Sequence, residues 1–361
     1  MEKIKTGIIG CGKIAVSHAN VLASIPESEF ICAFSRTKEK ADAFAEKYRI
    51  KPYYDLDEMI EKSGVQAVII CTPHPYHREP AVKCMNAKVH VLTEKPISIT
   101  LKDADEMIAS AKANKVKLGV ISQRRFFPAS LRVKDAIEEG KIGNPILASV
   151  NMYSWRDEEY YKSDPWRGSW EKEGGGILVN QSTHQLDLFL WFMGEIDEVF
   201  GYWANFNHPY IDVDDTSIAV IKFKNKAFGQ IVVSNSQNPG LFSKVMVHGS
   251  NGATVSVKTD SGTTFLPGRA VAKSEPPMND IWTVKEEEKL LLKWQKMDKK
   301  LFENLKSPTE HFLGVQIKDF LNSIINDTIP AVTSEEARRV VELFTAIYRS
   351  NKENRPVKFP L

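Results

Sequence analysis

Two short stretches carry the groups most ready for chemistry. The first is Gly10-Cys11-Gly12-Lys13-Ile14-Ala15, which follows directly on the strand-like run Ile4 to Ile9 and opens a helical stretch through Leu22. This is the G-x-G-x-x-A form of the dinucleotide fingerprint. Gly10 permits the tight turn, Gly12 lets backbone approach a pyrophosphate, and Ala15 allows close packing of helix on strand. The unpaired N–H groups at the helix start, from Lys13 and Ile14 onward, then face the phosphates. The second stretch is His90-Val91-Leu92-Thr93-Glu94-Lys95-Pro96. It reads as a short apolar strand that stops at a charged pair and a proline. Ligands of open α/β sheets bind just beyond the carboxyl ends of strands, so Lys95 is expected to point its ammonium into a ligand crevice, with Glu94 beside the cofactor. Pro96 biases Lys95 toward an extended backbone. The competing reading of that stretch alone is a surface turn with a solvated lysine.

The elements around these stretches alternate. A strand at Phe30 to Phe34 ends in Ser35-Arg36-Thr37-Lys38. A site for NAD usually places Asp or Glu there to hold the ribose hydroxyls. Here no carboxylate is present, and Arg36 suits a 2′-phosphate. The expected cofactor is therefore NAD or NADP, with the lean toward NADP; an Arg36 that stacks on adenine or stays solvated is the alternative. A helix follows over 38–48, then Pro52-Tyr53-Tyr54-Asp55 and another helix. Val65 to Cys71 is a continuous apolar run, as expected of a strand covered on both faces. It runs into Thr72-Pro73-His74-Pro75-Tyr76-His77, a turn expected beside the pyrophosphate and nicotinamide ribose. Thr72, Pro73 and His77 join the cofactor candidates, although a capping or packed role is ordinary for His77. With a helix over 79–87 and the Lys95 strand, the order is that of a doubly wound parallel sheet.

Composition limits the rest. The 361 residues suggest two domains, and 42% apolar with 26% charged content is that of an ordinary globular protein. Lys plus Arg (48) nearly balance Asp plus Glu (46), for a net charge of +2, which gives no support for nucleic-acid or anionic-membrane partners. No apolar run approaches a membrane span, and the N-terminal residues lack the apolar region of a signal peptide. Cys11, Cys32, Cys71 and Cys84 have no paired spacing for zinc or redox work. A reduced, cytoplasmic protein without a metal is expected.

Together these stretches resemble the glucose–fructose oxidoreductase / inositol dehydrogenase / rhizopine catabolism (Gfo/Idh/MocA) family. The resemblance rests on Gly10-Cys11-Gly12-Lys13-Ile14-Ala15, Thr72-Pro73 with His77, and Glu94-Lys95-Pro96. It continues in Gly174-Gly175-Gly176 ahead of Asn180-Gln181-Ser182-Thr183-His184-Gln185-Leu186-Asp187, and closes with Ala346-Ile347-Tyr348-Arg349-Ser350. It implies an α/β protein: an N-terminal Rossmann domain (1–122) and a C-terminal α/β domain (123–361) with a large open, mostly antiparallel sheet. One face of that sheet would bury a ligand and the other a subunit of a homodimer or homotetramer. It also implies hydride transfer between nicotinamide and a secondary hydroxyl or keto group of a sugar, sugar nucleotide or cyclitol.

In the second domain, Gln123-Arg124-Arg125-Phe126-Phe127-Pro128 would begin the crossing between domains. Two adjacent arginines on an extended segment face opposite ways, so Arg124 is expected to line the crevice and Arg125 to make structural contacts. Tyr153 to Trp170 is dense in aromatics and charge, which suits sugar rings. There Trp166-Arg167-Gly168 resembles the substrate loop of sugar-acting members, with Arg167 suited to a carboxylate or diphosphate; a packed irregular loop is the alternative. The three glycines permit unusual backbone and close approach to nicotinamide. Residues 177–192 are expected to be helical, placing Asn180, His184, Asp187 and Trp191 on one face. In the family the position of Asn180 is often Asp and His184 is the acid–base group. Asn180 can only hydrogen-bond, which places the chain nearer the Asn-Gln subgroup that includes sugar-nucleotide 3-dehydrogenases. Asp187 and Trp191 read as structural. Segments 218–223 and 228–234 form a hairpin, 245–248 and 253–257 add strands, and helices follow at 284–304, 311–326 and 334–350. The last starts at a capping box, Thr333 with Glu336.

The resulting expectation is oxidation of a ring alcohol in which His184 takes the hydroxyl proton and Lys95 donates to the same oxygen. One rival keeps the redox step inside an NAD-dependent glycosidase that works by transient oxidation. Another is a non-enzymatic cofactor-binding regulator, which would need neither Lys95 nor His184.

Overall fold

The apolar runs before residue 123 become parallel strands. The computed structural model describes residues 3–260, 263–266, 269–272 and 276–361, with 263–266 and 269–272 as backbone only. In order come β1 (Ile4–Ile9), α1 (Lys13–Ser24), β2 (Ser28–Phe34), α2 (Lys38–Tyr48), β3 (Lys51–Tyr53), α3 (Leu56–Ser63), β4 (Ala67–Ile70), α4 (Arg78–Asn86), β5 (His90–Thr93), α5 (Leu101–Asn114) and β6 (Leu118–Val120). The sheet runs β3-β2-β1-β4-β5-β6, every pair parallel. Ile8, Ile9, Ile70 and Val91 have no exposed surface, as strands covered on both faces require. Local chemistry sets the helix limits. Asp55 accepts the Glu58 N–H at the head of α3, Thr100 accepts that of Asp103 at the head of α5, and Gly64 closes α3 at φ 71°. Strand order reverses between β1 and β4, which is the switch point where such sheets bind ligands.

The chain continues through α6 (Pro128–Glu138), β7 (Pro145–Tyr153), α7 (Glu158–Lys162), α8 (Thr183–Met193), β8 (Ile196–Ala204), β9 (Thr216–Phe223), β10 (Phe228–Ser234), β11 (Phe242–Gly249), β12 (Thr254–Asp260), β13 (Thr263–Leu266), β14 (Arg269–Ala272), α9 (Leu290–Asn304), α10 (Pro308–Ile325), α11 (Ser334–Glu353) and β15 (Val357–Lys358). The second sheet has the order β12-β11-β7-β10-β9-β8-β15 and is antiparallel except where β7 meets β10. The expected hairpin is β9 with β10; β8 and β15 were not foreseen. Gly229 on β10 leaves room for α8, since a Cβ there would stand 2.6 Å from Phe189 Cζ. Among the described residues, no helix is long and apolar enough to cross a membrane.

Two compact units result, residues 1–123 with 307–341 and residues 124–306 with 342–361. A linear division at 122/123 would have left α10 with the second. Instead Leu313, Ile317, Phe320 and Leu321 enter the core of Ile8, Ala15, Ala19 and Leu22. Gln316 secures the arrangement: its Nε2 donates to Val120 O at 2.7 Å and its Oε1 accepts from Ser122 N at 2.8 Å. Within the second unit, α9 docks on α6. Arg132 forks onto Asp298 at 2.8 and 2.6 Å and lies 5.1 Å from the Trp294 ring. Sequence alone left this helix as a cover for substrate or for a neighbour; residues 267–268 and 273–275 of the same segment lie outside the described residues. The capping box forms as expected, Glu336 N donating to Thr333 Oγ1 and Thr333 N to Glu336 Oε2, each at 3.2 Å.

Candidate active site

At the carboxyl end of the parallel sheet, Gly10 has φ 95°, and a Cβ there would meet Thr72 N at 3.0 Å. The turn after β1 thus presses against the turn after β4, a contact only glycine allows. Gly12 differs: a Cβ on it would meet nothing within 4 Å. That open space lies at the head of α1, which has no acidic residue in its first turn and no side-chain cap on Gly12. A dinucleotide pyrophosphate fits this cradle. Lys13 and Ile14 are exposed beside it. At the end of β2, Ser35 is buried, and Arg36 is exposed with its guanidinium 5.4 Å from the Tyr76 ring. Thr72 Oγ1 donates to Tyr76 O at 2.9 Å, which shapes the Thr72-Pro73 turn.

The groups around Lys95 are held tightly. Glu94 Oε1 lies 2.7 Å from His18 Nε2, and Glu94 Oε2 accepts the Lys95 N–H at 3.1 Å. Burial alone would raise the Glu94 pKa; the His18 hydrogen bond and the His18 and Lys95 charges outweigh it and hold the carboxyl below its ordinary value. His77 corrects an expectation. Its ring is fully buried, with Nδ1 2.9 Å from Pro96 O and Nε2 2.8 Å from Thr72 O, and it makes no side-chain cap to α4. The imidazole therefore ties two loops together instead of reaching toward a cofactor. Burial holds its pKa below the usual histidine value, against the two carbonyls and the Glu94 charge. A neutral ring donates to one carbonyl and rests against the other.

In the second unit, His184 lies in the first turn of α8 and is buried, as are Asn180 and Gln185. Asn180 is not on the helix. Asp214, without exposure, accepts the N–H groups of Gly176 (2.7 Å) and Leu178 (3.1 Å) and the Tyr348 hydroxyl (2.7 Å), while its carbonyl takes that of Ile177. These bonds hold 176–178 in place, so α8 begins only at Thr183. The glycine triplet serves this packing too. A Cβ on Gly176 would stand 1.9 Å from Asp214 O, and one on Gly175 would stand 2.4 Å from the Tyr348 hydroxyl. Asn180 Nδ2 instead donates to Glu173, whose Oε2 accepts Gly168 N at 2.6 Å. The Tyr160 hydroxyl gathers Arg167 Nη1, Gln181 Nε2 (3.1 Å) and Asn180 Nδ2 (3.4 Å). Arg167 lies 4.3 Å from the Tyr160 ring and 4.5 Å from that of Trp166. Trp166, Arg167, Asn180 and Tyr160 thus form one cluster of aromatic faces and polar edges. Trp155, Tyr161 and Trp170 pack on His208, Tyr210, Trp203 and Tyr348; of the three only Tyr161 is buried, while Trp170 stays partly exposed.

Gln123–Phe126 is a 3-10 turn, not the expected extended segment. Arg125 is nonetheless structural, donating to both oxygens of Asp187 at 2.8 and 2.6 Å and lying 5.3 Å from the Trp191 ring. Arg124 Nη1 is engaged by Thr259 (3.1 Å) and Asp260, which Gln185 Nε2 also contacts at 3.0 Å each. Sequence reasoning passed over His18 and Glu173, and named Tyr160 only as one ring of the aromatic stretch 153–170. A signal existed for the first: His18 interrupts an apolar face of Ala15, Ala19 and Leu22.

A doubly wound sheet with a glycine cradle and an uncapped helix at its switch point defines a dinucleotide-binding unit. Residues 4–122 match the oxidoreductase family with NAD-binding Rossmann fold, and residues 130–255 match the GFO/IDH/MocA C-terminal domain. The chain is 28% identical over 361 residues to myo-inositol 2-dehydrogenase of Thermotoga maritima, covering 98% of each. It is 31% identical over 261 residues to the uncharacterized oxidoreductase YrbE of Bacillus subtilis, covering 70% of this chain and 73% of that one. Among solved structures, the WlbA dehydrogenase from Bordetella pertussis in complex with NADH and UDP-GlcNAcA superposes with a TM-score of 0.83 at 26% identity, covering all of both chains. The chain belongs to the Gfo/Idh/MocA family of NAD-binding oxidoreductases.

Proposed function

We propose that this oxidoreductase moves hydride between a nicotinamide cofactor and a secondary hydroxyl or keto carbon of a sugar, sugar nucleotide or cyclitol. The observation that carries the reading is the open cradle at Gly12, at the same sheet end as the Glu94-Lys95 turn. The relatives named for inositol and UDP-sugar chemistry support the substrate class. A bound nicotinamide supplies the hydride acceptor. Gly10, Gly12, Lys13 and Ile14 hold the pyrophosphate, Ser35 and Arg36 the adenosine ribose, and Thr72, Pro73 and Glu94 frame the nicotinamide end. The imidazole of His184 takes the proton from the substrate hydroxyl. Lys95 Nζ donates to the same oxygen and stabilises the charge developing on it. Arg124, Trp166, Arg167 and Asn180 orient the ring and its substituents. NADP is the preferred cofactor, because Arg36 stands exposed where a carboxylate would repel a 2′-phosphate.

Cofactor reduction over a panel of sugars, inositols and UDP-sugars, with NAD and NADP in parallel, tests this. Lys95→Ala should cut turnover by about 100-fold or more with cofactor binding retained; wild-type turnover refutes the assignment. Arg36→Ala should weaken NADP by roughly tenfold or more and NAD much less. Two further parts of the proposal concern the assembled protein. Ile146, Tyr202, Ile218, Val220 and Phe228 expose an apolar surface on the second sheet, which we assign to a second copy of this chain; Val220→Asp should lower the mass seen in sedimentation. The four free thiols suit a cytoplasmic location.

A further inference from the structure

The main chain that launches Lys95 is held by a buried histidine acting through a carboxylate. His18, on α1, has no exposed surface, and its Nε2 lies 2.7 Å from Glu94 Oε1. Glu94 is anchored at the end of β5 by its own N–H on Ile70 O at 2.9 Å. Its second oxygen accepts the Lys95 N–H at 3.1 Å. A carboxylate can only accept, so His18 Nε2 carries the proton. His18 Nδ1 is then a buried nitrogen, and it meets no hydrogen-bond partner among the described residues. An orphaned buried polar atom is unfavourable. A leucine would fill the same space between Ala15, Ala19 and Leu22 without it. The histidine is therefore explained by what Nε2 does, not by packing.

We propose that His18 is a positioning residue, donating to Glu94 so that the carboxylate fixes the Lys95 peptide and with it the aim of the Lys95 ammonium. This rests on the reading of Lys95 as catalytic. The titratable groups around Glu94 are His18 from α1, Lys95 next in the chain, His77 at the head of α4 and Cys71 after β4. Burial, then the Glu94 charge, pushes the Cys71 thiol well above its ordinary range. The same charge opposes the effect of burial on His77. Without His18, burial would drive the Glu94 carboxyl upward against Lys95 alone. The carboxyl then also loses the contact that fixes its rotamer, so the oxygen that accepts the Lys95 N–H is no longer held in place.

The test uses the full chain with His18→Leu, which has no donor, His18→Gln, which keeps one, and Lys95→Ala. The Glu94 carboxyl is followed by 13C NMR titration, assigned with Glu94→Gln, and NADPH binding by fluorescence reports that the fold is intact. In His18→Leu the Glu94 titration should move to higher pH, while NADPH affinity stays within about threefold. With the panel substrate of highest turnover, kcat should fall by about 100-fold at little change in KM, and the acid limb of its pH profile should shift upward. His18→Gln should recover most of the loss. Added to Lys95→Ala, His18→Leu should lower turnover no further. An unmoved Glu94 titration overturns the proposal, as does an equal loss on the Lys95→Ala background, which would mark a general structural defect. Full turnover in Lys95→Ala sinks the assignment of Lys95 itself; a normal loss there with full turnover in His18→Leu sinks only the role of His18. If His18→Leu does not fold, His18→Gln against the shorter His18→Asn carries the same comparison.

Discussion

Cutting the Arg125–Asp187 pair from one side tests how the helix bearing His184 is held. Asp187 lies three residues beyond His184 on α8, and the two side chains of the pair are 4% and 5% exposed. Two contacts of 2.8 and 2.6 Å join them, and the Trp191 ring lies 5.3 Å from the guanidinium. Asp187→Leu strands a buried guanidinium, and Arg125→Met strands a buried carboxylate. Each should cost about 3–5 kcal/mol, because a buried ion without its partner keeps its desolvation penalty. The double variant removes both charges and should cost no more than about 1–2 kcal/mol. With a slope of roughly 3 kcal/mol per molar urea, the single variants should lower the unfolding midpoint by about 1–1.7 M. Tryptophan emission is a suitable probe, since Trp191 packs on the pair. Losses that simply add, with the double variant worse than either single one, would refute the reasoning.

Gly10→Ala forces a Cβ to 3.0 Å from Thr72 N at a φ of 95°; it should cost about 1–3 kcal/mol of stability and weaken NADH binding in a fluorescence titration. Asp214→Asn turns an amide donor toward Gly176 N or Leu178 N, and thermal unfolding should report a loss of about 1–3 kcal/mol. Glu94→Gln should be less stable than the wild type near neutral pH. The folded Glu94 pKa lies below the ordinary 4.5, so the ionised group contributes stability fully above that value. The contribution fades as pH falls through the lower folded value, and denaturation series at several pH values should show the two proteins converging in acid.

Much of the first unit was legible because its signals are local. Continuous apolar runs mark strands buried on both faces, and Gly10 belongs to a local strand–turn–helix pattern, although its contact with Thr72 comes from the fold. Arg36 and Lys95 could be placed at strand ends from spacing alone. Other features depend on partners far away in the chain. Asn180 matched the helical spacing of His184, yet Asp214 captures the preceding N–H groups and α8 starts later. Gly175 and Gly176 are needed against Tyr348 and Asp214, partners that no local pattern reveals.

The sequence by itself determined the cofactor-binding unit, since a parallel βα repeat with a glycine turn leaves few other ways to pair its strands. Only tertiary structure decided which polar groups meet: His18 with Glu94, Arg125 with Asp187, and Gln316 with Val120 and Ser122. Periodicity encodes which face of an element is buried. The partner of a buried charge is set by long-range packing, which brings residues 62 to 196 positions apart within hydrogen-bond distance.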